Sequence, residues 1–125
     1  MSVLGVFNTQ IVNFANTLSE RFPNDIELRM AKDAIQLMKQ ANPRKNLELF
    51  RQYGFIYKEP IVNKDENFII NTNFVSDLSI DNKEYAMGIM NKLKQYWGEI
   101  DDSEKNNIWS YLNVLIKLVD KIDGN

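Results

Sequence analysis

Apolar residues recur at every third or fourth position near the C-terminal end of the chain, and this spacing constrains the fold more than any other feature. Side chains three and four apart lie on one face of an α-helix, so the spacing predicts a helix with one buried face. Asp101 to Ser103 supply capping residues at its start, and lysines lie near its end, in agreement with the helix dipole. The apolar face consists of Ile108, Leu112, Leu115, Val119 and Ile122.

Similar patterns predict three helices in the N-terminal half. The first runs from Val3 to Phe22 and ends before Pro23, which cannot continue a helix. Asn24 to Glu27 form a capping signal for the second helix. Its inner face is predicted to hold Leu28, Ala31, Ile35 and Met38, with Ala34, Leu37 and Ala41 beside them. Asn42 and Pro43 suit the N-cap and first position of a third helix, which turns Leu47 and Phe50 inward.

The segment from Lys58 to Asp81 has no helical period and is rich in Asn, Asp and Ser. A long structureless loop is rare in a small domain, so we expect a short helical turn near Asp65 to Ile70 and an ordered remainder. The capping residues Asp81 to Glu84 then open another helix, with Gly98 as its stop. Its predicted inner face holds Ala86, Met90 or Ile89, Leu93 and Trp97.

These patterns together predict an all-α fold, a single-domain bundle of about five helices over residues 1–125 with an irregular 58–81 connection. The 125 residues and the hydrophobic content of 44% suffice for one ordinary core. No stretch approaches the ~20 apolar residues of a membrane span, and the first residues lack the basic start of a signal peptide. We therefore expect no membrane contact and no secretion by a signal peptide.

The chain contains neither cysteine nor histidine. Disulfides, thiol nucleophiles, the usual zinc sites and imidazole acid–base chemistry are thereby excluded. Asp, Glu, Lys, Tyr and Ser remain, but none stands in a recognisable catalytic spacing. We predict that the protein is not an enzyme and carries no cofactor, metal or catalytic residue.

Two groups of acids and two tryptophans have chemical as well as structural interpretations. Asp65, Glu66, Asp77 and Asp81 would suit calcium by residue type, but their spacing does not match a calcium loop and favours helix caps. Asp101, Asp102 and Glu104 could form a carboxylate pair for glycoside hydrolysis, yet a dipole-matched helix start explains them more simply. Trp97 and Trp109 could line a pocket, but their positions favour core packing.

A cluster of large apolar residues before and within the 58–81 connection fits no core face easily. An apolar run without a period cannot bury every side chain on one helix face, so some should remain exposed as a partner site. The competing interpretation is that the segment wraps over the bundle and fills its open end. The candidate partner-binding residues are Phe55, Ile56, Lys58, Glu59, Ile61, Val62 and Phe68.

The region from Lys32 to Arg51 is the densest in basic residues, and aromatic residues follow it. This combination is superficially typical of nucleic-acid binding, and the candidate residues are Arg44, Lys45 and Arg51. Acidic residues interrupt the region, and the net charge of −2 gives no global attraction to phosphate. A solvated helix face is the favoured interpretation.

Several short segments of the sequence form a recognisable series. They are Asn42-Pro43-Arg44-Lys45, Leu49-Phe50, Tyr57-Lys58-Glu59, Lys64-Asp65-Glu66-Asn67-Phe68, Tyr96-Trp97 and Ile108-Trp109-Ser110-Tyr111-Leu112. In this order they resemble a family of small, largely uncharacterised helical proteins encoded by nucleocytoplasmic large DNA viruses. The resemblance extends over most of the chain, from about Phe7 to Ile122, and implies a viral protein of the host cytoplasm or the virion. It transfers no catalytic residue.

We therefore expect a non-enzymatic protein–protein interaction or structural module of a large DNA virus, either a virion component or a host-factor binder. The first alternative is a nucleic-acid-binding accessory protein that uses the basic 32–51 region, and a carboxylate- or metal-dependent hydrolase is a distant third. A viral or host protein is the expected partner, and a homo-oligomer stays open because the apolar face of the last helix suits either internal packing or a dimer seam.

Overall fold

The structure is a computed structural model that describes residues 2–72 and 83–123, with only the backbone of residue 53 and of residues 83–88. This part of the chain contains seven α-helices and no strand, so the all-α prediction is confirmed. The helices are α1 (Val3–Arg21), α2 (Ile26–Ala41), α3 (Lys45–Tyr53), α4 (Lys58–Val62), α5 (Glu66–Asn71), α6 (Lys83–Tyr96) and α7 (Asp102–Ile122). Two short 3₁₀ turns, Phe55–Tyr57 and Trp97–Glu99, precede α4 and follow α6.

The estimate of about five helices is too low because part of the predicted irregular connection is helical. α4 and α5 have five and six residues, which is too short for a sequence period to appear. α5 confirms the helical turn that was predicted near Asp65 to Ile70, and the Asp65 side chain caps it by accepting from the backbone N–H of Asn67 at 3.0 Å. Residues 73–81 of the connection lie outside the described residues.

The predicted caps are correct at most of the helix ends. α1 ends at Arg21, just before Pro23, and the capping residues before α2 and α7 act as predicted. At α7, Asp101 and Glu104 form a reciprocal capping box, each accepting from the backbone N–H of the other. The predicted caps Asp81 and Asn82 of α6 lie outside the described residues.

Two predicted helix ends are wrong by a few residues. α3 begins at Lys45 and not at Pro43, because Asn42 ends α2 and its side chain accepts from the backbone N–H of Arg44 at 3.2 Å. α6 ends at Tyr96, and Gly98 lies in the 3₁₀ turn that follows it.

The helices pack around α1, which lies against both α2 and α7. α2 also contacts α6 and α3, whereas α4 packs on α7 and α5 on α6. The apolar face of α7 is buried at Ile108, Leu112, Leu115 and Val119. That face therefore serves packing within the chain, and it is not available as a dimer seam.

A pair of buried asparagines fixes the corner between α1, α2 and α3. The Asn8 side chain donates to the Pro43 carbonyl at 2.8 Å, and the Asn46 side chain donates to Asn8 Oδ1 at 3.3 Å. Asn46 also donates to the carbonyl of Ile35 on α2 at 3.1 Å. Because buried amides need partners, these contacts hold the three helices in one arrangement.

Among the described residues, none of the helices combines the length and the apolar character that crossing a bilayer requires.

Candidate functional site

An exposed row of large apolar side chains runs along α2. Ile26, Met30 and Leu37 are 64%, 62% and 67% exposed. They lie four and seven residues apart, so they share one side of the helix, and Asp33 lies in the same row. We call Ile26, Met30, Asp33 and Leu37 the α2 face.

The opposite side of α2 is buried through Leu28, Ala31 and Ile35, as the sequence predicts. The prediction that Leu37 lies beside this inner face is wrong, because Leu37 projects from the outer side of the helix and is exposed. α2 therefore carries apolar residues on two sides, of which the described residues of the chain cover only one. Contiguous exposed apolar groups with a polar rim are typical of protein-contact surfaces.

The N-terminal end of α2 is anchored by Asp25. Its carboxylate caps the helix by accepting from the backbone N–H of Leu28 at 3.0 Å, and it also accepts from the Tyr96 hydroxyl. Lys92 Nζ lies 2.9 Å from Asp25 Oδ2 and 2.8 Å from Glu27 Oε1. These contacts join the first turn of α2 to α6, and the Asp25 side chain is only 6% exposed.

The electrostatics of this anchor favour the charged form of Asp25. Burial alone would raise its pKa, but the hydrogen bonds from Tyr96, Lys92 and the Leu28 backbone together lower it below the ordinary value. The pKa of Tyr96 is raised, mainly because its hydroxyl donates to Asp25. Burial acts to lower the pKa of Lys92, yet the bonds to Glu27 and Asp25 leave it raised.

Packing completes the anchor and leaves little room for a ligand. The rings of Phe22 and Tyr96 stack with centroids 3.8 Å apart. The cleft between them and Leu93 has a volume of about 50 Å³, whereas small-molecule sites usually measure roughly 300–1,000 Å³. A depression of about 310 Å³ beside Pro23 and Asp25 is shallow and open to solvent, so its walls do not surround a ligand. The anchor therefore positions α2, and the exposed part of that helix is the candidate site.

The partner surface predicted from the sequence is only partly at the surface. Ile56 and Val62 are exposed. Ile61 and Phe68 are 1% and 8% exposed, so their prediction as exposed contact residues is wrong. α4 turns Ile61 toward α7, where its carbonyl accepts from the Asn113 side chain at 3.1 Å, and Phe68 packs against Tyr57 with ring centroids 5.0 Å apart. The interpretation that the segment fills the core therefore holds for these two residues.

The remaining residues of that surface have mixed positions. Phe55 is half-buried and packs against the core, with Lys58 Nζ 5.4 Å from the centre of its ring. Lys58 is exposed and forms an ion pair with Asp120 at 2.9 Å, and Glu59 is exposed. The structure thus leaves Ile56 and Val62 as the apolar part of this surface, with Lys58 and Glu59 beside them in sequence.

The basic candidates do not form one unpaired patch. Arg51 forms a two-point ion pair with Asp123, through Nη2 at 2.6 Å and Nε at 3.3 Å. Arg44 is exposed and Lys45 half-buried at the start of α3. Of the three candidates, Arg44 and Lys45 therefore remain to contact an external anion.

The acidic candidates have structural partners. Glu66 accepts from the indole N–H of Trp97 at 2.9 Å, and this bond, with Lys105 nearby, lowers its pKa against the opposing effect of burial. Glu104 forms an ion pair with Arg21 in addition to its capping role. Asp77 and Asp81 lie outside the described residues, and among those described no three carboxylates are grouped to hold a metal ion. Trp97 and Trp109 are buried against each other edge to face, 5.5 Å apart, which confirms core packing.

The chain was compared with protein-family models, with curated proteins and with solved structures, and none of these comparisons finds a match. The geometry defines the class to which this chain can be assigned: an all-helical protein whose described residues leave one apolar helix face uncovered. No family follows from it.

Sequence reasoning missed Ile26 and Met30, although a signal for them is present. On a helical wheel of residues 26–41 the apolar residues form two groups on opposite sides, one with Leu28 and Ile35 and the other with Met30 and Leu37. A helix with two apolar sides is either sandwiched between layers or half uncovered. The sequence alone does not say which of these applies.

Proposed function

We propose that the chain is a non-enzymatic protein-binding module of a large DNA virus, as a virion component or a host-factor binder, and that the α2 face is its main contact surface. The single observation that carries the proposal is the exposure of Ile26, Met30 and Leu37 in one row on a helix that is anchored at its first turn and at Ile35. The viral setting rests on the resemblance of the sequence segments described above.

The anchoring of α2 supports a binding role because a fixed surface loses little freedom when a partner binds. Asp25 and Lys92 hold the first turn, and Asn46 holds the carbonyl of Ile35 in the second half of the helix. Side chains on such a helix are already arranged for contact. Ile56 and Val62 would form a second, smaller contact surface near α4.

The proposal is tested by capture with the full-length protein from extracts of infected cells, followed by mass spectrometry. The decisive variant is Met30→Asp/Leu37→Asp, which places two charges in the α2 face. Ile56→Asp/Val62→Asp tests the second surface in the same way. The matched control is Gln52→Asp/Asn106→Asp, which adds two charges at exposed polar positions of other helices.

We expect one or more proteins to be captured by the wild type and the control but not by the Met30→Asp/Leu37→Asp variant. All variants should keep a cooperative thermal melt, because the substituted side chains are exposed and the like-charge pairs of the two new aspartates with Asp33 cost only about 0.2–0.5 kcal/mol each. Once such a protein is purified, its Kd for the α2 variant should rise at least about tenfold. If every captured protein also binds the α2 variant as well as it binds the wild type, the proposed function of this face is wrong.

A further inference from the structure

We propose that the α2 face binds the α2 face of a second copy of the same chain, with the two helices antiparallel about a twofold axis. This inference rests on the proposed function, because it names a partner for the same surface. It is argued from the spacing of the row, from the charge within it and from the position of the axis.

The spacing of the α2 face is that of a helix–helix seam. Ile26, Met30, Asp33 and Leu37 follow each other by steps of four, three and four residues. The three steps average about 3.7 residues, close to the 3.6 residues of one helical turn, so the row runs nearly parallel to the helix axis, where a second helix can pack side by side. Three of the four positions are apolar, as a seam requires.

Asp33 selects the direction of the partner helix. In a parallel pair of identical helices, Asp33 would face Asp33 of the second copy, and the like charges would repel each other inside the seam. In an antiparallel pair it lies beside Arg29 of the second copy, which flanks the row. Antiparallel helices also bring opposite ends of their dipoles together.

One axis serves the contact of Ile26 with Leu37 and the contact of Arg29 with Asp33 together. The row from Ile26 to Leu37 has its middle between Ala31 and Lys32, and the pair of Arg29 and Asp33 has its middle at Ala31. A twofold axis at this level places Ile26 opposite Leu37 of the second copy. It places Met30 opposite Asp33 of the second copy, with Arg29 next to the same Asp33. Each contact occurs twice because the interface is isologous.

The two charges are not engaged with each other within the chain. Arg29 donates from Nη2 to the carbonyl of Pro23 at 3.1 Å. Asp33 has a carboxylate oxygen 3.7 Å from Lys32 Nζ, and its side chain is 60% exposed. Neighbouring residues on a helix point in different directions, so this contact is a weak competitor for Asp33. Both charges can turn toward a second copy.

The geometry is tested by disulfide cross-linking, which is unambiguous here because the chain contains no cysteine. We expect a mixture of Ile26→Cys protein and Leu37→Cys protein to form a covalent dimer under mild oxidation. Ile26→Cys protein alone should not, because two copies of this residue would lie about 16 Å apart along antiparallel helices, well beyond the ~7 Å limit between the Cα atoms of a disulfide. Equal cross-linking of the mixture and of the single variants would overturn the antiparallel geometry.

The charge contact is tested by sedimentation equilibrium from about 5 to about 500 µM protein, a range in which a modest interface becomes populated. We expect a monomer–dimer equilibrium for the wild type. Asp33→Arg should weaken it at least about tenfold, because two arginines then flank each other. The exchange Arg29→Asp/Asp33→Arg should restore the wild-type Kd, since each copy of an isologous pair carries both charges. A double variant no stronger than the single variant would overturn the proposal.

The test separates this inference from the proposed function. A chain that is monomeric at every concentration, yet captures another protein through the α2 face, overturns self-pairing alone. A monomeric chain whose captured proteins all ignore the α2 face overturns both proposals. Thermal melts of the single and double charge variants, measured at low protein concentration, serve as the folding control.

Discussion

At the scale of single residues, Asp25 combines two tasks that sequence patterns show only in part. The sequence predicts that Asn24 or Asp25 caps α2, and the structure assigns this role to Asp25. Its contacts with Lys92 and Tyr96 join positions about 70 residues apart and leave no trace in local sequence. One carboxylate thus both starts the helix and fixes it to α6.

The lowered pKa of Asp25 makes a directional prediction for stability against pH. A carboxyl whose pKa is lower in the folded chain contributes stability above its unfolded value of about 3.9, and this contribution is lost as the pH falls through the folded value. Asp25→Asn keeps a good cap but loses the charge that faces Lys92. We expect unfolding in urea at pH 7 to be easier by about 1–3 kcal/mol.

The same variant should lose less stability than the wild type between pH 7 and pH 3, because its residue 25 does not titrate. Asp102→Asn is the control, since Asp102 is an exposed residue in the first turn of α7. Glu66 titrates in both variants, so the difference between them isolates Asp25. Identical acid profiles for Asp25→Asn and the wild type would contradict the assignment.

At the scale of helices, the predictions succeeded where a helix is long and has a single apolar face. The apolar face of α7 extends over four turns, and it is the one buried side of that helix. The period of the apolar residues therefore identifies both the helix and its buried residues. α4 and α5 each complete fewer than two turns, and in such short segments apolar order carries no period. Their burial depends on α7 and α6, which are distant in sequence.

The α2 face could not be predicted from the sequence, because its helix has more than one apolar side. α2 has two apolar sides, and local patterning does not say which side meets α1. Leu37 was therefore placed beside the inner face, while Met30 was passed over. In the 55–68 segment the lack of a period predicted correctly that some apolar residues are exposed. It could not separate Ile56 from Ile61, because their burial depends on how α4 rests on α7.

The two glycines that lie at helix ends should respond differently to Ala. A Cβ at Gly54 would come within 2.8 Å of the ring of Phe50, which packs against Phe7 in the core. A Cβ at Gly98 would meet nothing within 4 Å. We expect Gly54→Ala to destabilise the fold by about 1–3 kcal/mol and Gly98→Ala to be neutral or stabilising by up to about 1 kcal/mol. Urea unfolding at pH 7 measures both, and equal effects would contradict the packing at Gly54.

At the scale of the whole molecule, ion pairs between distant elements neutralise some of the charged side chains. Arg51 of α3 reaches Asp123 after the end of α7, and Lys58 of α4 reaches Asp120 within α7. Exposed pairs of this kind add little stability individually. They do neutralise cations that, from the sequence alone, could bind an external anion. Because Arg51 is paired with Asp123, the basic 32–51 region offers fewer unpaired cations in the folded chain than its sequence suggests.

This neutralisation leads to a prediction about nucleic acid. Binding to phosphates requires several free cations on one surface, and its strength falls steeply with salt as counterions are released. Of the three candidates, Arg51 is engaged with Asp123, which leaves Arg44 and Lys45 on a chain of net charge −2. We expect fluorescence anisotropy of labelled duplex and single-stranded DNA to detect little binding even at about 50 mM salt.

The variant Arg44→Glu/Lys45→Glu/Arg51→Glu should then behave like the wild type toward DNA. It should also match a control with three charge reversals elsewhere, Lys64→Glu/Lys117→Glu/Lys121→Glu, at exposed lysines. Tight binding that weakens steeply with salt, that is lost in the first variant and that survives in the control would contradict this prediction and show that the basic region contacts phosphates. In that case the basic region, and not the α2 face, would be the main contact surface of the molecule.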